Sequence, residues 1–238
     1  MINWFHKKSN NFKAIVAMLF AVLCVTIMSA QAKLIGIEYH PAQITFARAV
    51  VVLIFLTPLI YKLGGLNFLK TKKPILHFFR GIAGLIGNIM FFLAYQRLPL
   101  ADVTVISQAV PIFSCILAII FLKEIIGWRR WLAISVGFIG VIIAINPSGQ
   151  IEVALVYALI GTLMWSITII FLRLLGSTEH PVKTVFYFML VSVIVTSFFQ
   201  PFLWKEPSFQ VILLFFGLGI SAFLTQLLMT YALQKAPA

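Results

Sequence analysis

Acidic residues are scarce in this chain of 238 residues, which has only 6 Asp and Glu beside 18 Lys and Arg. Charged residues make up 10% of the sequence, whereas soluble domains carry about 25%. Cysteine is rarer still, and Cys24 and Cys115 both lie in apolar runs, which indicates packing rather than a disulfide or metal pair. These shortages exclude an ordinary soluble enzyme, a disordered protein and a secreted disulfide scaffold. Apolar residues reach 62%, so we expect an all-α protein that crosses a membrane many times.

Signatures of catalysis are also missing from the sequence. There is no phosphate-binding loop and no hydrolase motif, and the histidines are scattered, so we expect no enzyme activity, no cofactor and no metal. His40 and His180 each precede a proline and are expected to belong to a pair of similar turns.

The net charge of +12 would favour a nucleic acid partner for a soluble protein. Here the basic residues lie between apolar runs, where they act as topology signals. We therefore expect a lipid bilayer and a small-molecule substrate as partners, and no nucleic acid. The sequence leaves the oligomeric state open, with a homodimer as one option.

Eight apolar runs divide the chain, and each is about long enough to cross a hydrocarbon layer of ~30 Å, the fifth only with its flanking residues. Between the runs lie proline, glycine or charged residues that are typical of turns. The predicted spans are roughly Ala14–Ile35, Ile44–Tyr61, Ile75–Gln96, Val103–Leu122, Trp131–Ile145, Val153–Leu175, Thr184–Leu203 and Phe209–Leu233.

The basic residues are distributed unevenly between the two sides of these spans. If the N-terminus is cytoplasmic, 14 of the 18 basic residues, Arg80 among them, belong to the cytoplasmic side. The remaining 4 are Lys33, Arg48, Arg97 and Lys205. Because basic loops resist translocation, this split predicts a multi-pass protein of the inner (plasma) membrane with a cytoplasmic N-terminus.

The sequence repeats itself in the second half. LIGIEYHPAQITF (34–46) matches LLGSTEHPVKTVF (174–186) at an offset of 140, and AYQRLPL (94–100) matches ALQKAPA (232–238) at an offset of 138. Spans six to eight thus repeat spans one to three, and the expected units are residues 1–147 and 151–238. The first unit has five spans, an odd number, so the second copy crosses the membrane in the opposite direction.

Inverted repeats are typical of secondary transporters, in which two similar halves open a central site to each side in turn. A duplicated structural membrane protein is the alternative. The second copy stops at Ala238, which aligns with Leu100, so counterparts of the 46 residues Ala101–Asn146 are missing. We expect a shortened gene or a fragment, and an inactive, non-transporting remnant stays open as a rival.

The run Leu98–Pro147 resembles the EamA-type domain of the drug/metabolite transporter superfamily. The shared features are Ala101-Asp102, Pro111 in mid-helix, Glu124 after the fourth span and Gly137 and Gly140 in the fifth, and Arg48 and Arg80-Gly81 also fit. The resemblance implies ten helices in two inverted five-helix repeats around a substrate cavity, of which about eight are present here. The version LPLAD…GWRRW is similar to the branch that includes bacterial S-adenosylmethionine uptake carriers.

The resemblance implies a secondary transporter of a small polar metabolite by alternating access, with S-adenosylmethionine or an amino-acid-like solute as candidates. A drug or metabolite exporter is the alternative. Small multidrug exporters of the same superfamily use a glutamate in their first helix, and this chain has no acidic residue between Ala14 and Ile35. Proton-driven export of hydrophobic cations is therefore disfavoured, and facilitated diffusion or exchange fits better.

The fourth span has the clearest polar face. At 100° per residue its small polar residues fall within one arc of 120°, which lipid would penalise. We expect this face to line the substrate path, although a helix–helix seam is equally open. The candidate residues are Thr104, Ser107, Gln108, Pro111 and Ser114.

The other candidates come in pairs related by the repeat. Asn88 in the third span corresponds to Gln226 in the eighth, and two matched buried amides suggest a polar site at the repeat interface. Thr26 and Ser29 share a stripe of the first span, and Trp165 and Ser166 share one of the sixth. Trp165 could stack on a flat or cationic ligand, with plain packing in the bundle as the alternative. The glycines of the third span are expected to serve helix packing.

Overall fold

The computed structural model describes residues 10–123, 127–145, 153–176 and 178–235, and these residues form an all-helical bundle without strands. The helices are α1 (Asn10–Ile35), α2 (Pro41–Lys62), α3 (Pro74–Arg97), α4 (Leu100–Ser107), α5 (Val110–Leu122), α6 (Trp128–Ile145), α7 (Val153–Gly176), α8 (Pro181–Ser197), α9 (Gln200–Leu203) and α10 (Phe209–Lys235). Glu124 and the junction between the two predicted units lie outside the described residues.

All eight predicted apolar runs are helical, which confirms the all-α class. Within the described residues, six helical stretches are long and apolar enough to cross a membrane. α8 is shorter, with 17 residues, and α9 follows it after a two-residue break. The fourth run is divided near its proline, because α4 ends at Ser107 and Pro111 stands in the first turn of α5. Proline has no N–H to donate, so the first turn of a helix accommodates it.

The two His-Pro turns have the same local structure, as predicted. His40 and His180 have extended backbones and are followed by a proline that opens a helix. The Nδ1 atom of His40 accepts a hydrogen bond from the backbone N–H of Ala42 (3.2 Å), and that of His180 accepts one from Val182 (3.3 Å). Both imidazoles therefore act as N-caps.

The two turns lie at opposite ends of α3. Gln96, near the end of α3, donates to the carbonyls of Gly36 (2.9 Å) and Tyr39 (2.8 Å) in the first turn. Thr71, just before α3 begins, donates to the carboxylate of Glu179 beside the second turn. An inverted repeat requires this placement, because equivalent turns of two antiparallel copies must face opposite sides of the membrane.

Helices of one repeat make the same contacts as the equivalent helices of the other repeat. α1 packs along α10, while their repeat equivalents α7 and α3 also pack along each other, and α2 packs on its own equivalent α8. The closest approaches match as well. A Cβ atom at Gly81 would lie within 3 Å of Val191, and one at the equivalent Gly219 would lie within 3 Å of the equivalent Val51. These glycines let helices of different repeats approach closely, as predicted for the third span.

Candidate functional site

Two arginines are fully buried inside the bundle. Arg48 in α2 and Arg80 in α3 both have 0% exposed surface. Arg48 is the eighth residue of α2 and Arg80 the seventh of α3, which places them ~10 Å and ~9 Å from the starts of these helices. With a cytoplasmic N-terminus, Arg48 is nearer the outer side and Arg80 nearer the inner side.

Arg48 uses only one edge of its guanidinium. Its Nη1 atom donates to Oδ1 of Asn88 (3.3 Å) and contacts the Met28 sulfur at 3.9 Å. Its Cζ atom lies 5.8 Å from the ring centre of Phe92 and 5.9 Å from that of Phe188. The Nε and Nη2 atoms are buried and have no hydrogen-bond partner.

Arg80 is held more completely. Its Nη1 atom donates to the backbone carbonyl of Thr184 (3.3 Å), and its Nη2 atom donates to Oε1 of Gln226 (3.4 Å). Its Cζ atom lies 4.5 Å from the ring centre of Phe188, while its Nε atom is buried without a partner.

Phe188 contacts both guanidinium groups and so joins the two arginines into one cluster. A Cβ atom at Gly84 would lie 2.7 Å from the Phe188 ring, so the glycine on α3 leaves the space that this ring fills. At the repeat offset of 140, Phe188 is the equivalent of Arg48. We call Arg48, Arg80, Asn88, Phe188 and Gln226 the arginine cluster, and its members come from α2, α3, α8 and α10.

No carboxylate neutralises the arginine cluster within the part of the chain that the structure describes. The four acidic residues of this part all lie near helix ends. Glu38 pairs with Lys205 (2.9 Å) and Glu179 pairs with Lys183 (2.8 Å), while Asp102 and Glu206 are exposed. Burying an unpaired charge costs several kcal/mol even after relaxation. The cluster is therefore electropositive and rich in unused donors.

The two amides predicted to form a matched polar site are both buried and both accept a hydrogen bond from a guanidinium. The arginines themselves were missing from the predicted site, because the charge count assigned Arg48 to an outer loop and Arg80 to an inner loop. A charged residue two turns inside an apolar span is the signal that identifies them. Without them, 13 basic residues remain on the inner side and 3 on the outer side, so the topology signal stands.

The polar residues of the fourth span lie apart from the arginine cluster. Thr104, Gln108 and Pro111 are exposed, and Ser107 is half-buried with its hydroxyl on the carbonyl of Thr104 (2.7 Å). Ser114 is buried, and its hydroxyl has no partner. The side of α4 and α5 that packs against the bundle is mainly apolar, with Val103, Ile106, Ala109, Ile112 and Ala118 buried.

The remaining candidates on the first and sixth spans have separate environments. Thr26 is exposed and donates to Val22 within its own helix (2.9 Å), whereas Ser29 bonds across to the Tyr95 hydroxyl of α3 (3.2 Å). Ser166 is buried and donates to the Val110 carbonyl of α5 (3.2 Å) as well as within its own helix. Trp165 is half-buried, and its backbone nitrogen lies opposite Gly87 of α3.

Polar contacts close each end of the bundle above and below the arginine cluster. At the outer end, Lys205 pairs with Glu38, and Gln43 bonds to the backbone of Lys205 through both its amide nitrogen (2.7 Å) and its amide oxygen (3.2 Å). We call Glu38, Gln43 and Lys205 the outer latch.

At the inner end, Glu179 accepts from Thr71 and Lys183, and Lys183 also donates to the Lys70 carbonyl (2.8 Å). We call Thr71, Glu179 and Lys183 the inner latch. Each latch ties a loop of one repeat to the His-Pro turn of the other, so the two latches hold opposite ends of the bundle. Their residues differ: Lys183 corresponds to Gln43 at the offset of 140, and the Lys183–Glu179 ion pair lies within the second repeat.

The latch carboxylates are held in their ionised form. Burial opposes ionisation of Glu179, but the hydrogen bonds from Lys183 and Thr71 outweigh it and lower the pKa of the carboxyl below its usual value. The hydrogen bond from Lys205 lowers the pKa of the exposed Glu38, and the same bond raises the pKa of Lys205. Both latches are thus ion pairs near neutral pH.

In the described residues, an all-helical bundle with six apolar helices of membrane-spanning length is the architecture of a polytopic membrane protein. The chain matches the EamA-like transporter family over residues 12–146 and 153–238, and it belongs to that family. It is a secondary transporter of a small metabolite and a multi-pass membrane protein, which in bacteria means the inner membrane. The family resemblance predicted from the sequence is confirmed.

Several relatives extend over most of the chain. The S-adenosylmethionine uptake transporter of Rickettsia bellii is 28% identical over 207 residues, covering 87% of this chain and 71% of the relative. The protein of the same name from Rickettsia felis is 29% identical over 209 residues, with the same two shares. The pseudopaline exporter CntI of Pseudomonas aeruginosa is 25% identical over 222 residues, covering 90% of this chain and 75% of the exporter.

Proposed function

We propose that this chain carries a small polar metabolite by alternating access and that the arginine cluster is its substrate site. One observation carries the proposal: two uncompensated guanidinium groups lie at the interface between inverted repeats, where both sides of the membrane can reach them in turn. Ionisable residues inside a membrane protein mark substrate or ion pathways.

The two latches support the alternating-access part of the proposal. Both are closed in the structure, and the arginine cluster between them has no access to solvent, so the arrangement corresponds to an occluded state. Because the latches lie at opposite ends of the bundle, opening one while the other stays closed produces an outward-open or an inward-open form. Loss of either latch should therefore bias access to one side.

S-adenosylmethionine is the first substrate to test, since relatives along most of the chain carry that name. Export is the second candidate, because a relative of similar coverage is named as an exporter. We propose that the chain is a carrier and not an enzyme.

The experiment is transport of labelled S-adenosylmethionine by the purified 238-residue chain in lipid vesicles. We expect uptake above that of protein-free vesicles, and faster uptake when unlabelled S-adenosylmethionine is preloaded inside, which is the behaviour of an exchanger. A panel of amino acids and nucleosides tested in both directions separates uptake from export. Absence of flux for every compound in both directions would refute transport by this chain.

A further inference from the structure

We propose that Arg48 binds a carboxylate of the transported solute through the Nε–Nη2 edge of its guanidinium. The substrate class is then a small molecule with a free carboxylate. This inference rests on the proposed function, since it names the chemistry that the same site recognises.

The unused edge of Arg48 has the right geometry for a carboxylate. Its Nη1 atom is already occupied by Asn88 and Met28. The Nε and Nη2 atoms have no partner, and in a planar guanidinium their N–H bonds project side by side from the same edge. Two parallel N–H donors match the two oxygens of one carboxylate in a bidentate pair.

No atom of the described residues accepts a hydrogen bond from this edge of Arg48. Besides Arg48, the Nε atom of Arg80 and the Nδ2 atom of Asn88 are buried donors without a partner. The acidic residues that the structure describes are at the helix ends and do not contact either arginine. A ligand must therefore bring both the acceptor atoms and the negative charge to the cluster.

The cluster favours a carboxylate over a phosphate because it offers only one complete fork. Both terminal nitrogens of Arg80 already donate, one to Thr184 and one to Gln226, and its Nε atom is the nitrogen of this guanidinium that has no partner. One guanidinium fork pairs with two oxygens of a carboxylate or of a phosphate. A phosphate brings further oxygens and more negative charge, whereas a single fork pairs both oxygens of a carboxylate.

The test compares ligands that differ only at the carboxylate. Binding of S-adenosylmethionine and of decarboxylated S-adenosylmethionine to the purified chain is measured by calorimetry in detergent. L-methionine and its methyl ester serve as a second pair, and inorganic phosphate is the competing oxyanion. In at least one pair we expect the acid to bind about ten- to hundredfold more tightly, the range for a charge-assisted hydrogen bond. Equal affinity within both pairs, or binding of phosphate but of neither acid, would overturn the inference.

Variants of the protein then test whether the preference for the carboxylate ligand depends on Arg48. Arg48→Lys keeps the positive charge but removes the fork, so the difference within the preferred pair should fall at least several-fold. Arg97→Lys, at an exposed residue at the end of α3, is the matched control and should retain the full difference. If Arg48→Lys keeps the full preference for the carboxylate ligand, Arg48 does not bind the carboxylate. If that variant does not fold, the ligand pairs with the unaltered protein decide the carboxylate class.

The two proposals fail separately. If labelled S-adenosylmethionine is not transported but a carboxylate preference depends on Arg48, the named substrate is wrong and the carboxylate site stands. If S-adenosylmethionine and its decarboxylated form are transported equally well, and L-methionine and its methyl ester also bind equally, the transport function stands and the carboxylate site is wrong.

Discussion

At the scale of single residues, Asn88 is the main neighbour that satisfies Arg48. Asn88→Leu removes the only oxygen that accepts from this guanidinium among the described residues. We therefore expect the free energy of unfolding to fall by about 1–3 kcal/mol and substrate flux to drop. Gln108→Leu changes an exposed amide of similar size and should alter stability by less than about 0.5 kcal/mol. Melting temperatures check both variants, and vesicle flux checks Asn88→Leu. An equal loss of stability in the two variants would contradict the role of Asn88 beside Arg48.

Glu179 gives the inner latch a defined pH dependence. Its pKa is lowered in the folded chain, so its stabilising contribution is present above the usual value of 4.5 and is lost as the pH falls below it. We expect the melting temperature of the unaltered protein to drop more steeply below pH 4.5 than that of Glu179→Gln. Glu206→Gln, at the exposed outer end, should follow the unaltered protein. Parallel curves for all three would show that Glu179 makes no such contribution.

Site residues that are related by the repeat offset could be predicted from the sequence. Site residues that meet only through helix packing could not. The matched amides Asn88 and Gln226 follow from the repeat offset, and both are buried beside an arginine. Arg48 and Arg80 resemble topology charges in a one-dimensional count, because each lies only two turns inside its helix. Only the packing of α2, α3 and α8 reveals that both contact Phe188.

At the scale of helices, the existence and order of the spans followed from hydropathy, whereas the role of the polar face of the fourth span stays a prediction. A polar arc predicts that a surface avoids lipid, yet it does not say which neighbour covers it. Thr104, Gln108 and Pro111 are exposed in the structure, while apolar Val103 and Ile106 of the same span are buried against the bundle. Periodicity therefore identifies a face, and only tertiary contacts assign its partner.

The matched glycine–valine contacts lead to a prediction about helix packing. In Gly81→Ala and Gly219→Ala the new methyl groups overlap Val191 and Val51, so each variant should lose about 1–3 kcal/mol of stability. Val191→Ala should rescue the first and Val51→Ala the second, because the smaller side chain restores the space. Gly140→Ala has nothing within 4 Å of its new methyl group and is the control. Thermal unfolding of all five variants tests this, and failure of both rescues would contradict the contacts.

At the scale of the whole molecule, alternating access predicts that the two latches, at opposite ends of the bundle, have opposite effects on access to the arginine cluster. Thr45 is a buried residue of α2 between the outer latch and Arg48, so a cysteine there reports opening toward the outside. In a Cys24→Ala/Cys115→Ala background, Lys205→Ala should raise labelling of Thr45→Cys by an impermeant maleimide about two- to fivefold, since exposed ion pairs contribute up to about 1 kcal/mol.

At the inner latch, Lys183→Ala removes the ion pair with Glu179 and the bond to the Lys70 carbonyl of the other repeat. It should lower the same labelling, because stabilising the inward-open form depletes the outward-open form. The two lysines thus act as controls for each other: both variants remove one positive charge from one ion pair, but at opposite ends of α3. A general loosening of the bundle would raise labelling in both variants, and independent local opening would leave Lys183→Ala unchanged. Only a single equilibrium that couples both ends moves the labelling in opposite directions, which is what alternating access around the arginine cluster requires.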